Sequence, residues 1–464
     1  MSAKQSIRRL TRRDFVKLGT TALTFSLVSA CAPAVPAPAS PAPAQGGAQP
    51  PAQKGGAKIS IAINQSPWLP GFQRLAELYE KQTANKIELN VFPFAGLLEK
   101  TMNAAVAGSK EFDIVNMNEY WYGTFYAGGY ITPIKEIDPT YKPDPQIIEY
   151  GYCTRWDPAK KYSSKDGELY GVPINGNIQI YYYRKDIFDK IGMKEPQTFD
   201  DVIAAAQKGG NPSASFYGYC NRAHKEGIWW DILPFFRGFG GNIFLNEPED
   251  YTVACNSPEC LKGLNLYLEL AKYAPPNVAD MSQAEQIALF TSDKLLQTIM
   301  VCAAFPDMDN VEKSKIVDKV EYTVVPKPAG GKNAPAMGIW VMGVPKAIDT
   351  SQKKYALDFL KWATTKEAQL EYQKFGAIPV RQDVYESELA NDRKYRYMKA
   401  MAKSTPFISP SPRMAEAPKV QEAMSLRLNQ AVIGQLKPQE ALDTLADDIY
   451  KIVSAAGYKT GKIK

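Results

Sequence analysis

The chain has only one histidine, His224, among 464 residues. A Ser-His-Asp or Cys-His device would therefore have one possible imidazole base, and no Gly-x-Ser-x-Gly segment accompanies it. The sequence also lacks a Walker glycine loop, an HExxH pair, a dinucleotide-binding glycine fingerprint and the Cys/His spacing of a metal site. We therefore expect no catalytic residue, no metal and no cofactor, with His224 exposed in a loop.

Excess charge and long apolar runs are also missing after residue 30. The first 30 residues hold six cations and one acid, so the formal charge of +6 falls to +1 for the remainder. That balance argues against nucleic acid as a partner. No later segment approaches the roughly 18 apolar residues of a membrane-spanning helix. The remaining length suits two lobes in one monomeric chain.

The N-terminal segment carries two targeting patterns in register. Residues 11–17 (TRRDFVK) resemble a twin-arginine export signal, and residues 28–31 (VSAC) resemble the lipobox of bacterial lipoproteins. The apolar run between them is too short to span a bilayer. We therefore predict that residues 1–30 are a signal peptide and that a lipid on Cys31 anchors the protein outside the cytoplasm, in the periplasm or on the outer face of the cytoplasmic membrane.

The next segment, 31–57, is mostly proline, alanine, glycine and glutamine, a composition that predicts a disordered tether. Beyond Cys31 the chain has five cysteines, so at least one thiol must stay free. Cys255 and Cys260 are the pair most able to meet. An oxidising exterior favours a disulfide between them, whereas folding in the reducing cytoplasm before twin-arginine export disfavours it. The sequence therefore does not decide whether this disulfide forms.

Hydrophobic periodicity in the body predicts an α/β fold. An alternating segment, an amphipathic segment and a second alternating segment open the body, which indicates a β-α-β unit and a parallel sheet. The predicted strands are 58–63, 86–91, 112–115, 171–174, 178–183, 321–325 and 338–344. The predicted helices are 71–83, 97–107, 352–364, 419–433 and 438–455.

Five stretches, in their order and spacing, resemble the extracellular solute-binding proteins of bacterial carbohydrate ABC importers, the group of maltose-binding protein. They are the opening strand with its Trp68 loop and helix, residues 112–134, residues 171–188, residues 337–344 with helix 356–363, and residues 375–381. The resemblance implies two α/β lobes with a hinge, an interlobe ligand cleft and C-terminal helices. It places 58–172 and 326–378 in lobe 1, and 173–325 and 379–464 in lobe 2, with crossings near Val172-Pro173, Val325-Pro326 and Ile378-Pro379.

The resemblance also implies where a solute binds. Sugar rings stack on aromatic side chains and their hydroxyls pair with amides and carboxylates. In the mechanism that we expect, Trp121 and Trp230 stack on the solute from opposite lobes, Asn177 and the carboxylates take its hydroxyls, and the closed protein delivers it to an ABC permease. The candidate ligand residues are Trp68, Glu119, Tyr120, Trp121, Asn175, Asn177, Trp229, Trp230, Asp231 and Trp340.

Two departures from the family narrow this expectation. Residues 407–413 and 305–307 offer fewer aromatic platforms than the corresponding regions of the family, which favours a mono- or disaccharide or a polyol over a long oligosaccharide. Two other ligand classes are not excluded by the sequence. Acidic and aromatic side chains also suit polyamines, and paired tyrosines suit ferric iron. A secreted glycosidase would need two apposed carboxylates, and Glu119 with Asp231 is the nearest such pair.

Overall fold

The computed structural model describes residues 56–463. The predicted signal peptide, Cys31 and nearly all of the predicted tether lie outside these residues. Each predicted strand and helix of the body is confirmed, with ends that differ by no more than three residues. The strands are β1 Lys58–Asn64, β2 Lys86–Phe92, β3 Ile114–Asn118, β4 Arg155–Trp156, β5 Glu168–Leu169, β6 Gly171–Asn175, β7 Gln179–Arg184, β8 Phe244–Asn246, β9 Asp250–Val253, β10 Gln297–Val301, β11 Val320–Thr323 and β12 Trp340–Gly343.

Helices cover the sheets and confirm the α/β class. None of those between residues 56 and 463 is long and apolar enough to cross a bilayer. They are α1 Leu69–Gln82, α2 Phe94–Val106, α3 Tyr122–Ala127, α4 Ile134–Ile137, α5 Lys185–Lys190, α6 Phe199–Gly209, α7 Ile228–Asp231, α8 Leu233–Gly238, α9 Pro258–Ala271, α10 Gln283–Thr291, α11 Phe305–Met308, α12 Thr350–Ala363, α13 Lys366–Lys374, α14 Gln382–Tyr385, α15 Tyr397–Ser404, α16 Ala417–Val432 and α17 Pro438–Ala455.

The first sheet has five strands in the order β2-β1-β3-β12-β6. β1 pairs in parallel with β2 and β3, as the opening β-α-β pattern predicts, while β12 runs antiparallel to β3 and β6. Because β1 and β3 are parallel, their carboxyl ends share one edge of the sheet, where Asn64 and Asn118 lie. Trp340, the first residue of β12, pairs with Asn118 at this edge.

The second sheet has three strands in the order β10-β7-β11, with the central strand antiparallel to both neighbours. Its aromatic run Tyr181, Tyr182 and Tyr183 is buried. The Tyr182 hydroxyl donates to the Val301 carbonyl at 2.8 Å, which satisfies its polar atom within the core. The terminal helices α16 and α17 pack on each other and on α7 and α9.

Several chain segments connect the two sheets side by side. Residues 176–178 lead from β6 to β7, and Ile178 pairs with Met337 on the return segment. The Gly176 N–H donates to the Ile378 carbonyl at 3.0 Å. A Cβ on Gly176 would lie 2.0 Å from the Tyr150 hydroxyl oxygen, so this close approach requires glycine.

Two of the predicted crossings lie earlier in the chain than the observed connections. Pro173 pairs with Val341 inside the first sheet. Lys327 pairs with Thr198, which begins a helix in the same part of the chain as the second sheet. Pro173 therefore lies within β6, and Pro326 lies between the end of β11 and the bridge residue Lys327.

The five cysteines between residues 56 and 463 are all buried and free, so Cys255 and Cys260 form no bridge. Burial raises the pKa of the Cys260 thiol to about 12 and raises that of Cys255 as well. Neither thiol is therefore ionised near neutral pH, and both cysteines pack as small apolar residues of the core.

Candidate functional site

A cavity of about 520 Å³ lies between the two sheets at the edge where β1 and β3 end. Its walls combine five aromatic rings with several amides, and its volume falls within the roughly 300–1,000 Å³ of small-molecule sites. The residues that shape it are Asn64, Gln65, Ser66, Pro67, Phe94, Asn118, Tyr120, Asn177, Arg222, Glu226, Gly227, Trp229, Trp230, Ser282, Gln283, Gly338, Trp340 and Gln421, among others.

The first-sheet wall presents polar atoms that have no protein partner. Asn64 ends β1 and Asn118 ends β3, and both side chains are buried at the cavity surface. Neither side-chain Oδ1 accepts a hydrogen bond from a described residue. A buried amide oxygen without a donor is costly, so these two positions suit ligand hydroxyl groups.

The second wall is built on the short helix α7, which carries two adjacent indole rings. The Trp230 Nε1–H donates to the Met337 carbonyl at 2.5 Å, and the Trp229 Nε1–H donates to the Glu226 carbonyl at 3.2 Å. These bonds fix both rings against the cavity. The Met337 contact also ties the second wall to a segment that connects the sheets.

A buried ion pair supports the Trp230 ring from behind. The Arg222 guanidinium lies 4.8 Å from the Trp230 ring centre, and its Nη2 lies 2.7 Å from Asp231 Oδ1. Burial alone would lower the pKa of Arg222, but the adjacent Asp231 carboxylate outweighs burial and raises it. Arg222 Nη1 also donates to Gln283 Oε1 at 3.1 Å. Arg222, the one cation among the described residues that line the cavity, is therefore neutralised by Asp231. Glu226 lies exposed at the rim.

The connecting segments supply the floor of the cavity. The Asn175 Nδ2–H donates to Asn177 Oδ1 at 2.7 Å, while Asn175 Oδ1 accepts the Ile378 N–H at 3.0 Å. The hydrogen bonds of the Asn175 side chain thus stabilise the segments that connect the sheets. The Asn177 amide nitrogen has no acceptor among the described residues and lines the cavity, so it is free to donate to a solute.

Five predicted ligand residues line the cavity: Tyr120, Asn177, Trp229, Trp230 and Trp340. The other five, Trp68, Glu119, Trp121, Asn175 and Asp231, lie behind its walls.

Trp68 and Trp121 pack behind Trp340, each with ring centres 5.8 Å from it. Trp121 therefore takes no stacking position, in contrast to the expected mechanism. Glu119 accepts a hydrogen bond from the Ser411 hydroxyl at 3.1 Å and is buried, and Asp231 is held by Arg222. The acid pair suggested for a glycosidase thus does not face the cavity.

Sequence reasoning missed several cavity residues, chiefly Asn64, Asn118, Phe94, Arg222 and Gln283. A signal for Asn64 and Asn118 was present, because each ends a strand of a parallel pair. Arg222 and Gln283 had no comparable signal. His224 was expected to be exposed, but it is half-buried in the loop before α7 and accepts the Glu226 N–H at 3.3 Å. No cluster of three potential metal ligands occurs in the described part of the chain.

Comparison with known proteins decides the family. The sequence profile described as bacterial extracellular solute-binding protein matches residues 62–370, more than half of the chain. The chain belongs to this family. Its members bind solutes outside the cytoplasm, and the predicted two-lobed fold agrees with that of their solved structures.

Individual members are similar at low identity. A mannitol-binding protein of Pseudomonas aeruginosa is 23% identical over 362 residues, covering 76% of this chain and 78% of the relative. A solute-binding protein of Agrobacterium radiobacter in complex with ribitol superposes with a TM-score of 0.74 at 24% identity, covering 86% of this chain and 99% of the other. One of Agrobacterium vitis with bound D-mannitol gives a TM-score of 0.69 at 22% identity, covering 87% and 99%.

Proposed function

We propose that this protein captures an uncharged sugar or polyol outside the cytoplasm and delivers it to the permease of an ABC transporter. The observation that carries this proposal is the chemistry of the cavity. Aromatic rings from both walls suit the C–H faces of a polyhydroxylated solute. The amide oxygens of Asn64 and Asn118, which have no partner among the described residues, and the Asn177 amide N–H groups suit its hydroxyls. The two polyol complexes and the mannitol-binding relative support the same solute class.

Charge argues against the alternative solutes. A polyamine needs several acids in the cavity wall, whereas Glu226, at the exposed rim, is the one acid among the described residues that line it. Ferric iron needs paired tyrosines, and within residues 56–463 only Tyr120 lines the cavity. Relatives described as sn-glycerol-3-phosphate-binding exist, at 27% identity in one case, but Arg222 is already neutralised by Asp231. A neutral solute therefore fits best.

Capture proceeds without chemistry. A solute that touches Tyr120 and Asn118 on one wall and Trp229 and Trp230 on the other gains contacts that exist only when both walls are close together. That difference in free energy favours the closed state, as in hinge-bending binding proteins. An affinity near micromolar corresponds to about −8 kcal/mol, within reach of a few stacking and hydrogen-bonded contacts.

Export and anchoring complete the proposal. The twin-arginine signal directs export, and the lipid on Cys31 then holds the protein in the periplasm or on the outer face of the cytoplasmic membrane. The tether lets a monomeric body reach the permease. The relatives compared above are described as binding proteins, which supports binding rather than catalysis. The transporter supplies the energy of translocation.

A ligand screen tests the proposal. The purified full chain is heated with mannitol, ribitol, maltose, sn-glycerol-3-phosphate, spermidine or ferric citrate, and hits are titrated by calorimetry. A ligand at 100 times its dissociation constant adds about 2.7 kcal/mol of stability. Stabilisation by a polyol or sugar, lost in Asn118→Leu but kept in the exposed control Asn391→Ala, supports the proposal. Stabilisation by spermidine, iron or the phosphate ester alone refutes the uncharged solute.

A further inference from the structure

A second cavity, of about 510 Å³, lies between the end of α8 and two connecting segments, residues 332–334 and residues 406–410. Among the described residues, none lines both this cavity and the solute cavity. No aspartate or glutamate among the described residues lines it. Its polar side chains are Arg237, Asn242, Lys332, Asn333 and Ser409.

Arg237 is half-buried and differs from the four buried arginines of the described chain. Arg184, Arg222, Arg381 and Arg396 each pair directly with a carboxylate oxygen. Arg237 forms no such pair with a described residue. Its Nη1 donates to the Ser409 hydroxyl at 2.5 Å, its Nε is buried without an acceptor, and its Nη2 makes no hydrogen bond within the described chain.

The surroundings compensate this cation only in part. Burial lowers the pKa of Arg237, and the more distant Glu247, Tyr162 and Glu119 side chains do not offset that effect, while Arg413 adds to it. Burial also raises the pKa of the Glu247 carboxyl, while Arg237 and Arg413 lower it. A partly buried guanidinium that no described carboxylate contacts directly is costly, so an anion at its unpaired Nη2 would be stabilising.

Further donors converge on the same cavity. Lys332 is exposed and forms no ion pair with a described residue. Asn242 Oδ1 accepts the Ile243 N–H at 2.9 Å, which leaves the Asn242 amide N–H groups available. The Arg237 guanidinium can provide a bidentate contact and the Lys332 ammonium a point charge, with the Asn242 amide as a further donor, and oxyanions prefer such contacts.

We propose that this cavity binds a small oxyanion, with Arg237 Nη2 and Lys332 Nζ as its principal contacts. The site is separate from the proposed solute cavity and does not depend on which solute that cavity takes. Ser409 pairs with Ala336, so the anion would tie α8 to both connecting segments. Its binding therefore stabilises the folded body whether or not a solute is present.

Calorimetry on the purified full chain tests the site with sodium sulfate, sodium phosphate and sodium acetate at constant ionic strength. Saturable binding is expected, weakened at least ten-fold in Lys332→Gln and in Arg237→Gln, and unchanged in Lys313→Gln, an exposed lysine outside the cavity. A preference for sulfate and phosphate over acetate identifies a tetrahedral inorganic anion, and the reverse identifies a carboxylate. No saturable binding of any of the three, or equal affinity in wild type and Lys332→Gln, would overturn the proposal even where Arg237→Gln fails to fold.

Discussion

The Tyr120 and Trp229 rings meet edge to face across the solute cavity, with centroids 4.1 Å apart and planes at 89°. Tyr120 follows β3 of the first sheet, and Trp229 belongs to α7 on the opposite wall. The contact therefore joins the two walls directly. Edge-to-face aromatic pairs add about 0.5–1.5 kcal/mol beyond area burial, so this pair helps to hold the walls together.

Trp229→Ala should weaken solute binding by about ten-fold, because it removes one ring of the wall and the contact with Tyr120 together. Ten-fold corresponds to about 1.4 kcal/mol, the upper range for such a pair. Calorimetric titration with the solute found in the screen measures the change. Trp362→Ala, on α12 and away from the cavity, is the matched control and should leave affinity unchanged. Equal affinities in the two variants would remove Trp229 from the site.

Asp231→Asn should destabilise the fold by about 3–5 kcal/mol, because it leaves the buried Arg222 guanidinium without its counter-charge. Urea unfolding of the variant and the wild type measures the difference. The double variant Arg222→Met with Asp231→Leu should recover much of this loss, since replacing both members of a buried pair costs less than breaking it. A single variant as stable as wild type would show that the ion pair is not supporting the wall.

Glu119→Gln should become progressively more stable than wild type as pH rises from about 4.5. Burial raises the pKa of the Glu119 carboxyl well above its usual value, with hydrogen bonding from Ser411 offsetting only part of the effect. Between the unfolded and folded pKa values the unfolded chain releases a proton that the folded chain keeps, so wild-type stability falls as pH rises. The slope is about 1.4 kcal/mol per pH unit for one group.

Denaturant unfolding at several pH values between 4.5 and 8 tests this sign. The exposed Glu422→Gln on α16 serves as control and should not change the pH profile. A Glu119→Gln profile parallel to wild type would mean that Glu119 ionises normally in the folded protein.

Cys31→Ala should move the protein from the membrane fraction to the soluble fraction, because no lipid can then be attached. Cell fractionation and immunoblotting measure the distribution. Cys220→Ala, which removes a buried free thiol of the body, should remain with the membrane. A Cys31→Ala protein that stays in the membrane fraction would contradict the lipobox interpretation.

Local patterns were enough for most of the fold. The predicted ends of α17, Pro438–Ala455, match the structure, because proline at the first position and an amphipathic repeat are properties of the segment alone. The opening β-α-β unit could also be predicted from the sequence, because the alternating pattern of a strand and the 3.6-residue pattern of a helix each depend on which residues of that one element are buried.

The site could be predicted only in part. Tyr120 and Trp121 are neighbours in the chain, yet the first lines the cavity and the second packs against Phe94 with ring centres 4.8 Å apart. Both are aromatic and both follow the same strand, so their residue types do not distinguish them. The turn into α3 decides which ring faces the solute.

The sequence by itself determined the α/β class, the order of elements, the targeting pattern and the family resemblance, because each depends on residue types and their spacing along the chain. The tertiary structure decided which polar groups are free. Arg222 is neutralised by Asp231, Asn175 is used by the connection between sheets, and Asn64 and Asn118 are left unpaired. Those outcomes depend on distances between segments far apart in the chain, and hydrogen bonding and charge compensation act through such distances.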